Sequence, residues 1–335
     1  MKKSNKNIIY NQELIIEDKA IKIKTFNYFY HIITEKSQIS IIALYFLHIL
    51  ELFQFISYAF TTLHLKSWKL SNKGEGIIYI ATNIFRIYPI CIFIPSKINI
   101  IICIILLIFN IAFSIFMAVQ ILFRKPNSQI YNRLLKITSI LISPLTIFFY
   151  IPFTEIFLSS LYCFTNTKIT ICNSEIQILV EIFGVLCCIL FTCILIFLNY
   201  FYFYPFQIIK TTVKINPSID ILLLLIKLVY TVRLIFITNE YISIAILLSL
   251  FFFLSLEQYK SPIYNLNVLE IFLKIRNSMI IWTYFMLLIC KICENTEING
   301  LFYLLIIGYP IIIFCSLMYY KELETKFNYT NSSFK

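Results

Sequence analysis

Apolar runs closed by lysine, arginine or proline recur along this chain from Ile39 to Tyr320. They cover 39–65, 77–95, 98–123, 134–161, 175–202, 218–238, 241–257, 271–293 and 299–320. A helical crossing needs roughly 20 apolar residues for a hydrocarbon core about 30 Å thick. The pattern therefore predicts an all-α, polytopic transmembrane helical bundle with about nine membrane helices. The first span ends at Lys66, Trp68 and Lys69, a suitable anchor at the membrane interface. Pro144 and Pro152 should kink the fourth span. The second is short and interrupted by Arg86, Pro89 and Pro95, so it either crosses or dips in and returns.

Residues 1–38 form an N-terminal tail, 39–320 one multi-pass domain, and 321–335 a short C-terminal tail. Ile23, Phe26, Tyr30 and Ile33 fall at helical spacing, so 20–34 reads either as an interfacial helix or as a plain lysine-rich tail. Residues 1–19 lack the short apolar core of a signal peptide, so the first span is expected to act as an uncleaved anchor.

Composition strengthens this picture. The chain has 335 residues, 60% hydrophobic and 13% charged, with a mean hydropathy of +0.84. Soluble domains run at about 45–50% apolar and about 25% charged. A soluble enzyme, a disordered chain and a secreted disulfide scaffold are excluded on that ground. The partner this composition implies is the lipid bilayer, with other membrane proteins or a second copy as further candidates.

The net charge of +11 does not point to nucleic acid, because most basic residues flank apolar spans. They act instead on topology. Loops after the odd-numbered spans and the C-tail, counted with Lys136, Lys274 and Arg276 at the adjoining span ends, hold fifteen Lys and Arg, against two in the remaining loops, Lys97 and Lys168. That asymmetry places the C-tail in the cytoplasm. Nine crossings would put the N-tail outside, although it carries seven Lys; eight crossings, with residues 77–97 dipping in and returning, would put both tails inside, and the count stays open between the two.

Charges inside the spans are the best pointers to function, because burying them is costly. His48, Glu51 and Gln54 form a strip on the first span. Arg86, Glu155 and Glu181 lie on the second, fourth and fifth, and Lys227 and Arg233 share the sixth. Glu51–Arg86 and Glu181–Lys227 are the ion pairs the spacing suggests. Such a set either lines a path for an ion or small solute or fixes helix packing. With 5 Gly, small-residue contacts between helices are scarce, which favours packing.

Cys163 and Cys172 enclose a loop on the non-cytoplasmic side, where a disulfide would be permitted. Cys290 and Cys293 have redox-motif spacing without the surrounding fold. Catalytic sets are missing from the sequence. Its three histidines fit no zinc motif, and it has no glycine-rich phosphate loop and no GxSxG. No catalytic, cofactor-binding or metal residues are expected. Asn328 and Asn331 match glycosylation acceptors, but a cytoplasmic tail would leave them unused.

The order of four segments carries a resemblance. They are LELFQFISYAF (50–60), YIPFTEIFLSSLYC (150–163), FFFLSLEQYKSPIYN (251–265) and YFMLLICKICENTEINGLFYLLIIGYP (284–310). Together they resemble the transmembrane region of the tiny macrocysts protein B-like family over roughly residues 40–320. Two features depart from that family: Cys172 is followed by Asn173-Ser174-Glu175 rather than Gly and His, and Asn199 begins no Asn-Asp-Pro stretch. The resemblance implies a membrane module of sensing or assembly and names no catalytic residue. The sequence thus predicts a non-enzymatic multi-pass membrane protein. A transporter or channel is the alternative, and a lipid-modifying enzyme a distant third.

Overall fold

Several charged side chains are buried inside this protein, and many large apolar ones face outward. The structure, a computed structural model, describes residues 41–85, 141–159, 175–202, 217–237, 239–260, 267–294 and 300–332, with Arg133 and helical pieces between 101 and 116. The expected N-terminal interfacial helix, Arg86, Cys163 and Cys172 lie outside the described residues. Those residues build helices, with no strand among them. Five helices are long and apolar enough to cross a membrane: Ile42–Phe60, Leu141–Leu158, Glu240–Lys260, Val268–Ile292 and Leu301–Tyr320. The protein is an all-α, membrane-embedded bundle.

The first span departs from the uninterrupted helix expected over 39–65. Helix α1 (Ile41–Ser57) gives way to a 3-10 turn (Tyr58–Phe60), a short helix α2 (Thr62–Leu65) and a second 3-10 turn (Lys66–Trp68). A helix end leaves its last carbonyls without partners, and here hydroxyl groups supply them. Ser57 Oγ donates to Gln54 O at 2.7 Å, Tyr230 Oη to Gln54 O at 3.3 Å, and Tyr284 Oη to Phe55 O at 2.9 Å. Trp68, expected to anchor at the membrane surface, is instead 2% exposed. Its indole donates to Ala59 O at 2.8 Å and closes the hook. Helix α3 (Asn72–Phe85) starts ahead of the Gly74-Glu75-Gly76 stretch that reads as a loop in sequence.

Pro144 is followed by one turn of π-helix, Leu145–Phe149, and then by α4 (Tyr150–Ser159). The remaining elements are α5 (Glu175–Tyr202), α6 (Pro217–Phe236), α7 (Glu240–Lys260), α8 (Asn267–Ile292) and α9 (Leu301–Ser332). Helix α8 begins four residues before the predicted 271, which adds Glu270 to the helix that carries Lys274 and Arg276.

Helix α6 joins two apolar cores. Ile219, Leu223, Ile226 and Tyr230 recur at helical spacing and pack with α1, α7 and α8. Leu224 turns to the other side and packs with Leu145, Phe157 and Phe191 from the π-turn, α4 and α5. Helix α7 buries the stripe Ser243, Ile244, Leu247, Phe251, Leu254 and Gln258. Its opposite face exposes Phe252, Phe253 and Leu256, which suits contact with lipid.

Most of the surface of α9 faces outward. Gly300, at φ +94°, makes the left-handed turn into it, a conformation glycine adopts without steric cost. Gly308 then lets the Trp282 ring approach its backbone, and Trp282 Nε1 donates to Leu305 O at 3.2 Å. A Cβ at position 308 would sit 2.2 to 2.7 Å from three indole atoms. Gly308→Ala should therefore destabilise the protein by about 1–3 kcal/mol, the usual range for overpacking. Trp282→Leu in the same chain should recover most of that loss. Thermal unfolding of the three variants in detergent measures both effects.

Candidate functional site

One carboxylate sits at the meeting point of four helical elements. Glu51 on α1 is fully buried. His48, one turn earlier on the same face, places Nδ1 3.0 Å from Glu51 Oε2. Arg276 of α8 donates Nη1 to Glu51 Oε2 and ion-pairs with it, and Lys227 of α6 ion-pairs with Glu51 Oε1. His48 Nδ1 is also 3.1 Å from Arg276 Nη1. Nδ1 can donate a hydrogen bond to the carboxylate or accept one from the guanidinium, and the His48 tautomer decides which.

The fourth element is the π-turn, and Pro152 explains its role. Proline has no N–H. In α-helical register the missing donor belongs to Phe148 O, and in π register to Ile147 O. Both carbonyls are filled from other helices. Gln54 Nε2 donates to Phe148 O at 3.0 Å, while Lys227 Nζ donates to Thr146 O at 2.7 Å and Ile147 O at 2.8 Å. Lys227 thus neutralises Glu51 and repairs the proline-broken backbone with one ammonium group. Repair of this kind is what makes a proline tolerable inside a membrane helix.

A hydrogen-bonded chain runs outward from Arg276. Its Nε and Nη2 both donate to Asn277 Oδ1, at 3.2 and 3.0 Å. Asn277 Nδ2 donates to Gln258 Oε1 at 2.7 Å, and Gln258 Nε2 to Glu270 Oε1 at 3.3 Å. Glu270 lies 3.7 Å from Lys274 Nζ.

A second polar cluster lies where α6 ends and the hook turns back. Arg233 stacks its guanidinium on Tyr58, 3.7 Å from the ring centroid, and donates Nη1 to Ser243 Oγ. Beside it, Glu240 pairs with Lys291 at 2.7 Å and with His64 at 3.4 Å.

Of the residues singled out in sequence, His48, Glu51 and Lys227 meet directly, and Gln54 joins them through the π-turn. The suggested Glu181–Lys227 pair is corrected: Lys227 is turned to Glu51, and Glu181 lies half-buried on α5. Glu155 is buried on α4, and Arg233 belongs to the second cluster. Arg276, Asn277, Gln258 and Glu270 were missed. Arg276 and Lys274 were counted as loop cations that orient the membrane domain, yet they stand inside α8, with Arg276 1% exposed. Removing both from the count leaves the charge asymmetry in place.

No protein-family model matches this chain, and neither a curated protein nor a solved structure matches it. Its chemistry rests on its own geometry. Among the described residues no group of three or more His, Cys, Asp or Glu is placed to hold a metal. A cleft of about 730 Å³ opens between α7, α8 and α9, lined by Phe252, Tyr259, Trp282 and Phe285. Its walls come from the outward side of α7, away from Glu51.

The arrangement can fix four helical elements against one another. Glu51→Gln leaves Lys227 and Arg276 buried without a counter-charge, and should cost about 3–5 kcal/mol. Replacing Glu51, Lys227 and Arg276 together by Met should recover most of that, as judged from detergent-solubilised thermal midpoints. Pro152→Ala returns a backbone donor to the fourth span. Gln54→Leu should then cost about 1 kcal/mol less than it does beside proline, measured as a double-mutant cycle.

Proposed function

We propose that this protein is a non-enzymatic membrane module of sensing, signalling or assembly, whose interior charges set how its helices pack. The observation that carries this reading is the enclosure of Glu51. Its carboxylate is met by Lys227, Arg276 and His48, all three 1–3% exposed. A transported ion or solute needs groups that exchange partners with water, whereas these groups are committed to each other and to backbone carbonyls. The segment order resembling tiny macrocysts protein B-like proteins supports a sensing or assembly role. The lysine asymmetry supports a cytoplasmic C-tail, which reporters fused to that end would check.

The decisive experiment is flux. Purified protein in liposomes should conduct or exchange no monovalent ions or small metabolites above protein-free liposomes. Flux that Glu51→Gln abolishes in a still-folded protein would replace this reading with that of a transporter.

A further inference from the structure

The contacts of α1 fix its direction relative to the later helices. Near its start, Tyr45 packs edge-on against Phe272 of α8, with ring centroids 5.2 Å apart. Further along, Glu51 meets Lys227 of α6 and Arg276 of α8. Near its end, Phe55 lies against Tyr230 of α6 at 5.4 Å, and its carbonyl accepts from Tyr284 of α8. In the hook, Tyr58 carries Arg233, and His64 lies 3.4 Å from Glu240, which holds Lys291 at 2.7 Å. Residue numbers rise together along α1, α6 and α8, so these three helices run parallel.

Helices α7 and α9 run the other way. On α7, the Ser243 hydroxyl lies 3.3 Å from that of Tyr58, Phe251 lies 4.8 Å from Phe55, and Gln258 accepts from Asn277 in the first half of α8. On α9, Phe302 lies 6.1 Å from Trp68 of the hook. The hydroxyls of Tyr309 and Thr283 share a hydrogen bond at 2.8 Å, and the Lys274 ammonium lies 5.2 Å from the Tyr320 ring. The chain therefore enters α1 and reaches Tyr320 at the same end of the bundle. The hook and the junctions between α6 and α7 and between α8 and α9 lie at the other end.

We infer that both tails lie on the cytoplasmic face of the membrane, that the hook lies on the opposite face, and that the number of crossings is even. Parallel α1 and α6 require an odd number of crossings between the hook and Pro217, whatever path the chain takes there. With α1 and the four helices α6 to α9 the total is even, which agrees with eight crossings and excludes nine. Charge says which face is which, counted on the segments whose end these helices fix. The tail end carries the seven Lys of residues 1–38, Lys210 and Lys214 ahead of α6, Lys260, and the three Lys of residues 321–335, against Lys66, Lys69, Lys73 and Lys291 at the hook end. The richer end faces the cytoplasm. The three hook lysines, counted in sequence with the cytoplasmic loops, belong to the opposite face. A cytoplasmic partner thus meets both tails on one surface, and the cluster of Arg233, Glu240 and Lys291 faces the other compartment. The inference rests on helix direction and stands whether or not the module reading above holds.

The test inserts the full chain, with an uncharged epitope tag at each end, into sealed microsomes whose outer surface is the cytoplasmic face. Protease added outside should remove both tags. A membrane-impermeant maleimide, scored as modification above the untouched chain, gives the second readout. Ser4→Cys and Ser333→Cys should be modified in sealed vesicles. Ser71→Cys, at an exposed position just after the hook, should be modified only once detergent opens them. All three substitutions leave the charge pattern unchanged. Removal of one tag alone, protection of both, or modification of Ser71→Cys in sealed vesicles would each overturn the inference. A Ser71→Cys chain left unmodified even in detergent leaves the two tags to decide.

Discussion

A single negative charge shared by two cations holds the interior of this protein together. Glu51 brings α1 against α6 through Lys227 and against α8 through Arg276. In a hydrocarbon environment, apolar side chains have no preference between lipid and one another, so oil alone does not choose which helix faces meet. Polar groups do, because any other arrangement leaves them unpaired at high cost. The rest of the bundle follows from that choice. The stripe of α6 carrying Ile219, Leu223, Ile226 and Tyr230 is turned toward α1, α7 and α8 on the same side as Lys227. The outer faces of α5, α7 and α9 are left apolar.

The membrane character and all-α fold were legible because they depend on long composition windows, which tolerate local error. Glu51 and Lys227 were legible as well, since a lone charge in an apolar run stands out. Their partnership was not. A pairing depends on helix rotation and neighbour order, and neither is written in spacing along one helix. Arg276 was hidden for a different reason. It follows Lys260 and Lys274 near a predicted span end, and basic residues there ordinarily orient the protein in the bilayer. The pattern that would have exposed it is Glu270, Lys274, Arg276 and Asn277 within two turns of an otherwise apolar helix. So much polarity close together needs a partner of its own.

The hook after α1 was misread through Trp68. A tryptophan flanked by lysines at the end of an apolar run fits a surface anchor by composition alone. Whether its ring faces lipid headgroups or folds under its own chain depends on the break at Ser57. That break is stabilised by Tyr230 and Tyr284, more than 170 residues away in sequence. Long-range donors that cap a helix from outside leave no local signature.

The proline at 152 has a mechanical consequence. Its missing hydrogen is a covalent fact, so no shift of the fourth span can heal the carbonyls it leaves open. Lys227 therefore works like a bolt through two plates. Sliding α6 by one helical turn, about 5.4 Å, would withdraw the ammonium from Thr146, Ile147 and Glu51 at once. Any motion within this bundle must go around that bolt, by tilting or by rearrangement at the periphery, rather than by a piston stroke of α6.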